Sequence, residues 1–185
     1  MQAAVHTIQN FGSRINSYTT KGIYMELNQS IVSQHRQLFN ASCIPMTVEL
    51  VLKLHNKIKP TDFTLQQQWQ DKTDGNFSDF DGKLIEQVKF KKQFGVTRGN
   101  NFPLQDLFEC IDKELEAERY VIISLANSFG WHMYVIYDKS LSNDEYSAVS
   151  KDIQGNTLLI TDVKAQVKKM KGTDILTYTI QVDVI

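Results

Sequence analysis

Residues 43–58 read CIPMTVELVLKLHNKI, an amphipathic stretch that begins on a cysteine and gives way to Pro60. Its pattern predicts one helix from Cys43 to about Ile58, with Ser42 at the N-cap, Pro45 in the first turn where the ring is tolerated, and Pro60 marking the end. A thiol in the first turn lies in the positive end of the helix dipole, beside unpaired backbone N–H groups that favour thiolate over thiol. Gln37 stands six positions upstream, where its side-chain NH2 and the Cys43 N–H can together bind the oxyanion of an acyl transfer. A lone cysteine near a helix start is also a common small core hydrophobe, so partners decide the reading.

The chain holds four histidines. His6 lies in a polar, poorly patterned segment, His35 in the approach to the helix, and His55 among Lys53, Asn56 and Lys57; all three read as solvated or local structural residues. His132 follows Gly130-Trp131 and opens the run MYVIYD, a buried strand by its β-branched and aromatic content, after the equally apolar YVIISL at 120–125. A histidine at the head of a core strand is held rigidly and suits a general base. The group that orients it is expected at Asp162, where the strand TLLITD stops; Asp138 and Asn127 are the rivals.

The order Gln37, Cys43, His132, Asp162 resembles the papain-like cysteine peptidases, more narrowly the bacteriocin-processing (double-glycine leader) peptidases and their relatives. QLFNASCIPMTVELVL is similar to that group's Q-x5-C and following apolar helix, YVIISLANSFGWHMYVIY to its histidine strand, and LLITDV to the strand that ends in its acid. The resemblance covers residues 34–165, with 1–33 as an N-terminal extension. It departs at Ile44, where the family usually has Gly or Ala, and at Val163, where a Pro usually follows the acid. It implies a cysteine peptidase with Cys43 as nucleophile, His132 as base, Asp162 as orienting acid and Gln37 as oxyanion donor, acting on a peptide or protein through an acyl-enzyme, without metal or organic cofactor. A peptidoglycan or isopeptide amidase would use the same triad. Ile44 also fits a second reading, a catalytically inactive papain-like module that binds peptides or a partner protein.

Length and composition fit one α+β domain over residues 1–185: the chain is 42% hydrophobic and 22% charged, with no break in composition. A net charge of -1 offers no bulk attraction for nucleic acid or anionic lipid, and the short lysine clusters at 89–92 and 168–171 read as solvated faces. Two cysteines without CxxC spacing argue against a disulfide scaffold or zinc site, and Cys110, on the stripe of Leu104, Leu107, Phe108, Ile111 and Leu115, reads as a core or boundary thiol. No signal-like start or membrane-length stretch is evident, so the expected location is the cytoplasm, or outside the cell by a route without a cleavable signal. The expected architecture is papain-like. After a strand within GIYMELNQSIV, a helical half holds the nucleophile helix, short helices around LQQQWQDK and LIEQVKFKKQFG, an Asp-rich solvent loop at 74–81 and a helix near 103–117. It packs on a C-terminal antiparallel sheet of strands 120–125, 132–138, 146–151, 157–162 and 175–184, with a short helix near 163–171.

Overall fold

The computed structural model describes residues 23–127 and 130–182, which form an α+β fold. In chain order the elements are β1 (Ile23–Tyr24), α1 (Gln29–Gln34), α2 (Cys43–Leu54), α3 (Thr64–Trp69), a 3-10 turn at Phe77–Asp79, β2 (Leu84–Ile85), β3 (Val88–Gln93) and α4 (Leu104–Glu116). There follow β4 (Val121–Asn127), β5 (Gly130–Ser140), β6 (Glu145–Lys151), β7 (Thr157–Ile160), α5 (Val163–Met170) and β8 (Ile175–Ile180). The strands make one antiparallel sheet in the order β2-β3-β8-β4-β5-β6-β7, and β1 pairs with the far end of β5.

The sheet is covered on both faces, which is why YVIISL reads as an uninterrupted apolar run: Val121, Ile122, Ile123 and Leu125 are all buried. Side chains alternate along a strand, and residues directly opposite in a ladder share a face. Tyr178 of β8 meets His55, at the end of α2, through a hydroxyl–Nε2 contact of 2.6 Å, so its face carries α2. Thr177, on the other face, is joined to α4 by Gln93, whose Nε2 donates to Thr177 Oγ1 and to Cys110 Sγ. Tyr146 of β6 also belongs to the α4 face, its hydroxyl 3.1 Å from Phe108 O and 2.8 Å from Asp112 Oδ1. Carried across the ladders, the alternation puts Ile136, Tyr134 and His132 on the α4 and α5 face, and Val135, Met133 and Trp131 on the α2 face.

The helices around Cys43, Leu104 and Val163 and the five C-terminal strands stand where the sequence predicts them, with ends shifted by a few residues. The first half is not all helical. LIEQVKFKKQFG, expected as helix, is the β2-β3 hairpin: Val88 and Phe90 are buried and alternate with exposed Lys89 and Lys91, and the turn is closed by Glu86 and Gln87 at φ 46° and 66°. Only two apolar positions carry that period, so the lysines between them blur it. α2 ends at Leu54, a turn earlier than expected, because Asn56 adopts φ 55°. No helix among the described residues is long and apolar enough to cross a membrane. His6 and most of the N-terminal extension lie outside the described residues.

After α5 the chain turns at Gly172, whose φ is +118° and whose missing Cβ leaves room for the Phe102 ring. Gly172→Ala should lower unfolding free energy by about 2 kcal/mol or more in urea titration, since it adds a buried clash to backbone strain. Gly155→Ala, at φ +85° but facing open space, should cost only about 1 kcal/mol. Equal losses would mean that the Phe102 contact contributes nothing.

Candidate functional site

The segment that delivers Cys43 to the sheet is built around Gln66, a fully buried side chain on α3. Its Oε1 accepts the Leu38 N–H at 2.8 Å and lies 3.0 Å from Ser42 Oγ; its Nε2 donates to the Arg36 carbonyl at 3.1 Å and to Glu49 Oε2 at 2.7 Å. The Gln66 N–H donates to the other Glu49 oxygen at 3.0 Å, so Glu49 on α2 fixes Gln66 while Gln66 holds Arg36, Leu38 and Ser42 of the helix-entry segment. Ser42 occupies the N-cap position expected for it, but its hydroxyl serves this network and the Phe39 N–H rather than capping α2. Beside it, His35 Nε2–H donates to Met46 O at 2.8 Å, Lys53 Nζ donates to His35 Nδ1 at 3.0 Å, and Phe63 stacks on the imidazole. His35 is therefore a buried structural residue, 1% exposed, and not a solvated one.

At the other end of the helix's reach, the β5-β6 ladder stops at Val135↔Val149. Beyond it, side chains take over the backbone groups that a strand would otherwise satisfy. The Met133 carbonyl accepts from Ser150 Oγ at 2.6 Å, the Met133 N–H faces Cys43 Sγ, and the Lys151 carbonyl lies 3.2 Å from His132 Nε2. His132 Nε2 is also 2.9 Å from Ser150 Oγ. The single Ser150 proton goes to Met133 O, so the Ser150 oxygen accepts from His132 Nε2–H. That assigns the proton to Nε2 and leaves Nδ1 with a free lone pair.

The gap left by the ladder is thus approached from both faces of β5: Cys43 meets the Met133 N–H from the α2 face, while the neighbouring residue His132 lies on the α4 and α5 face with Ser150, which bridges its Nε2 to the Met133 carbonyl. No hydrogen bond joins the thiol and imidazole directly. Both are neutral near pH 7. Burial pushes the Cys43 thiol above its ordinary pKa, and the N–H groups of Cys43, Ile44 and Met133 that point at the sulfur only reduce that rise. The thiolate expected from the helix position alone is overruled by desolvation. Burial likewise lowers the His132 pKa, against the opposing pull of the Lys151 carbonyl and the Asp152 charge.

Gln37 is beside this gap, its N–H donating to the Asp152 carbonyl at 3.4 Å. Its side-chain NH2, however, is spent on the Phe39 and Asn40 carbonyls at 2.7 and 3.0 Å, so in this state it does not face the sulfur. The Gln37 Oε1 is buried without a hydrogen-bond partner among the described residues. Asp162 is not at the site. It is exposed at the start of α5, accepting from Gln166 Nε2 at 2.8 Å. The register pairs Ile160 with Ala148 and Ala148 with Ile136, so the end of β7 is level with a residue four positions, or about 13 Å, along β5 from His132. Asp162 lies beyond that, because β7 runs back toward the other end of the sheet. Asp138 is at that far end too, opposite Ser147, and the Asn127 side chain lies outside the described residues.

The acid that continuing the β5-β6 register sets across from His132 is Asp152, at the end of β6. Its carboxylate holds the following turn, taking the Asn156 N–H at 2.7 Å and Asn156 Nδ2 at 2.8 Å. Counting out from the hairpin turn misses it by one residue, because the register shifts between Ile136 and Asp138. Ile44, the departure from the family pattern, is 3% exposed and fills the core, so its bulk does not enter the gap. Compared with protein-family models, curated proteins and solved structures, the chain has no match.

Burial of His35, together with the Lys53 charge, lowers its pKa from 6.5 to about 3. The folded protein therefore stays proton-free at a site that the unfolded chain protonates near pH 6.5, and acid favours unfolding: the contribution is complete above pH 6.5 and is lost as pH falls toward 3. His55 and His132, also lowered by burial, act in the same sense. His35→Gln, which keeps an acceptor for Lys53, should remove one proton from this dependence. Between pH 7 and 5 wild type should lose about 2 kcal/mol more unfolding free energy than the variant. Parallel losses in urea titrations would mean that His35 is not the buried neutral group.

Proposed function

We propose that the chain is a papain-like cysteine hydrolase that cleaves peptide bonds, with Cys43 as nucleophile and His132 as general base. The observation that carries this reading is the opened end of the β5-β6 ladder, where the Met133 N–H meets the Cys43 sulfur and the adjacent His132 shares Ser150 with the Met133 carbonyl. A helix that opens on a cysteine and packs on an antiparallel sheet, one of whose inner strands carries the histidine, resembles the papain-like layout.

With both groups neutral at rest, attack and proton transfer are coupled. A substrate carbonyl at the gap draws the sulfur toward it while Nδ1 of His132 accepts the thiol proton, and the resulting imidazolium donates that proton to the leaving amine. Ser150 Oγ and the Lys151 carbonyl hold the Nε2–H, and the nearby Asp152 carboxylate favours the imidazolium through charge. Water attacks the acyl-enzyme with His132 again as base. The N–H groups of Cys43 and Ile44 are the donors ready for the oxyanion; Gln37 joins them after its amide turns from the Phe39 and Asn40 carbonyls.

The inward-turned Gln37 amide and the burial-raised thiol favour a second reading, a peptide-binding module without turnover. Peptide hydrolysis separates the two. Cys43→Ala and His132→Ala should each reduce turnover by at least about a thousandfold. Ser150→Ala should lower kcat by about ten- to a hundredfold, while Asp162→Ala leaves it within about twofold. Residual turnover within tenfold of wild type in the Cys43 or His132 variant would sink the mechanism.

Iodoacetamide reports the thiol independently of any substrate. Because burial raises both Cys43 and Cys110, alkylation of Cys43 should keep climbing as pH rises through the alkaline range, without a plateau near pH 6. A plateau there would indicate a thiolate–imidazolium pair at rest instead of coupled proton transfer.

A further inference from the structure

Trp131 immediately precedes His132 and is 44% exposed, an unusual position for an indole beside a buried strand. Alternation sets it on the α2 face with Met133, the residue whose N–H meets the Cys43 sulfur. Two strand positions separate them, on the order of 7 Å. Over its ring lies the exposed guanidinium of Arg98, with Cζ 4.1 Å from the ring centroid. The loop that brings Arg98 there is tied down just after it: Gly99 N–H donates to Lys171 O at 3.0 Å, and Phe102 is buried against Gly172.

Arg98 forms no salt bridge among the described residues. The acidic neighbour in its cavity, Asp174, lies 3.5 Å from Lys92 Nζ. That cavity, about 150 Å³, is lined by Lys92, Phe94, Gly95, Arg98, Thr173 and Asp174, with Val96 at its rim. A guanidinium over an indole is attracted by the ring face, and exposed Arg98 N–H groups can hold a carboxylate through two parallel hydrogen bonds.

We propose that Arg98 and Trp131 form a subsite for an acidic side chain of a peptide, one or two residues from the bond presented to Cys43. The location relative to the scissile bond rests on the reading of Cys43 as nucleophile; the carboxylate preference does not. An extended peptide advances about 3.3 Å per residue, which matches the separation along β5 between Trp131 and the residue that faces the sulfur.

Two measurements keep the two claims apart. In the first, acetyl-Ala-Glu-Ala-amide and acetyl-Ala-Gln-Ala-amide are titrated into the full chain carrying Cys43→Ala, with tryptophan fluorescence as readout and Trp131→Phe to assign the signal. The Glu peptide should bind at least about fivefold more tightly than the Gln peptide. Arg98→Ala should erase the difference, and Arg98→Glu should reverse it in favour of a Lys peptide. Equal affinities, no binding by either peptide, or a preference that survives Arg98→Ala would overturn the subsite. In the second, wild type and Arg98→Glu are given a proteome-derived peptide mixture and the cut sites are read by mass spectrometry. Enrichment of Glu or Asp within two residues of the cut in wild type, and of Lys or Arg in the variant, supports the subsite. Cleavage without acidic enrichment overturns it while leaving the hydrolase reading intact; selective binding without any cleavage overturns the hydrolase reading and leaves the subsite standing.

Discussion

The contact between Gln66 and Glu49 is the constraint on which the rest of the site depends. Both side chains are completely buried, and an uncompensated carboxylate in that position would be severely penalised. Gln66 satisfies it with two donors, one from the amide and one from the backbone, and uses its remaining capacity on the segment that enters α2. The backbone of residues 36–42 is therefore not a free loop. Burial raises the Glu49 pKa while the Gln66 donors and the Lys53 charge oppose it, and burial brings Lys53 down to about 8 against the pull of Glu49 and Asp62. A polar cluster of this kind specifies one arrangement because any displaced member leaves a buried group unpaired.

That rigidity explains why a short helix-entry segment can set a sulfur atom against one particular N–H of a strand. α2 is anchored at its start by the Gln66 cluster and at its end by the His55–Tyr178 contact, so Cys43 has little freedom along the sheet. On the sheet side, β4 pairs with β5 from Gly130 to Ile136, whereas the β6 ladder stops at Val135 and leaves Gly130 to Tyr134 without it. The gap opens where the two partners of β5 diverge.

The parts legible in the sequence are those with a strong local period. α2, α4, β4 and β5 announce themselves through dense apolar spacing, and Cys43 and His132 are readable because each opens such an element. What escaped depended on pairing. The β2-β3 hairpin has only Val88 and Phe90 to mark its buried face, and its partner β8 lies at the other end of the chain. The order of residues points to Asp162 as the acid, but strand order and register decide which carboxylate comes near an imidazole, and the irregularity between Ile136 and Asp138 shifts the hairpin count. The loss of the thiolate advantage at Cys43 was equally invisible, since a helix dipole is local and burial is not.

The open ladder also reverses a familiar relation between activity and robustness. Functional residues are often replaceable with a gain in stability, because the groups they hold in tension are relieved. Here Ser150, Cys43 and His132 stand in for missing strand hydrogen bonds, and each buried partner left unpaired costs about 1 to 3 kcal/mol. These side chains act as a clasp at the end of the β5-β6 ladder, so replacing them would require rebuilding the junction between the two strands as well.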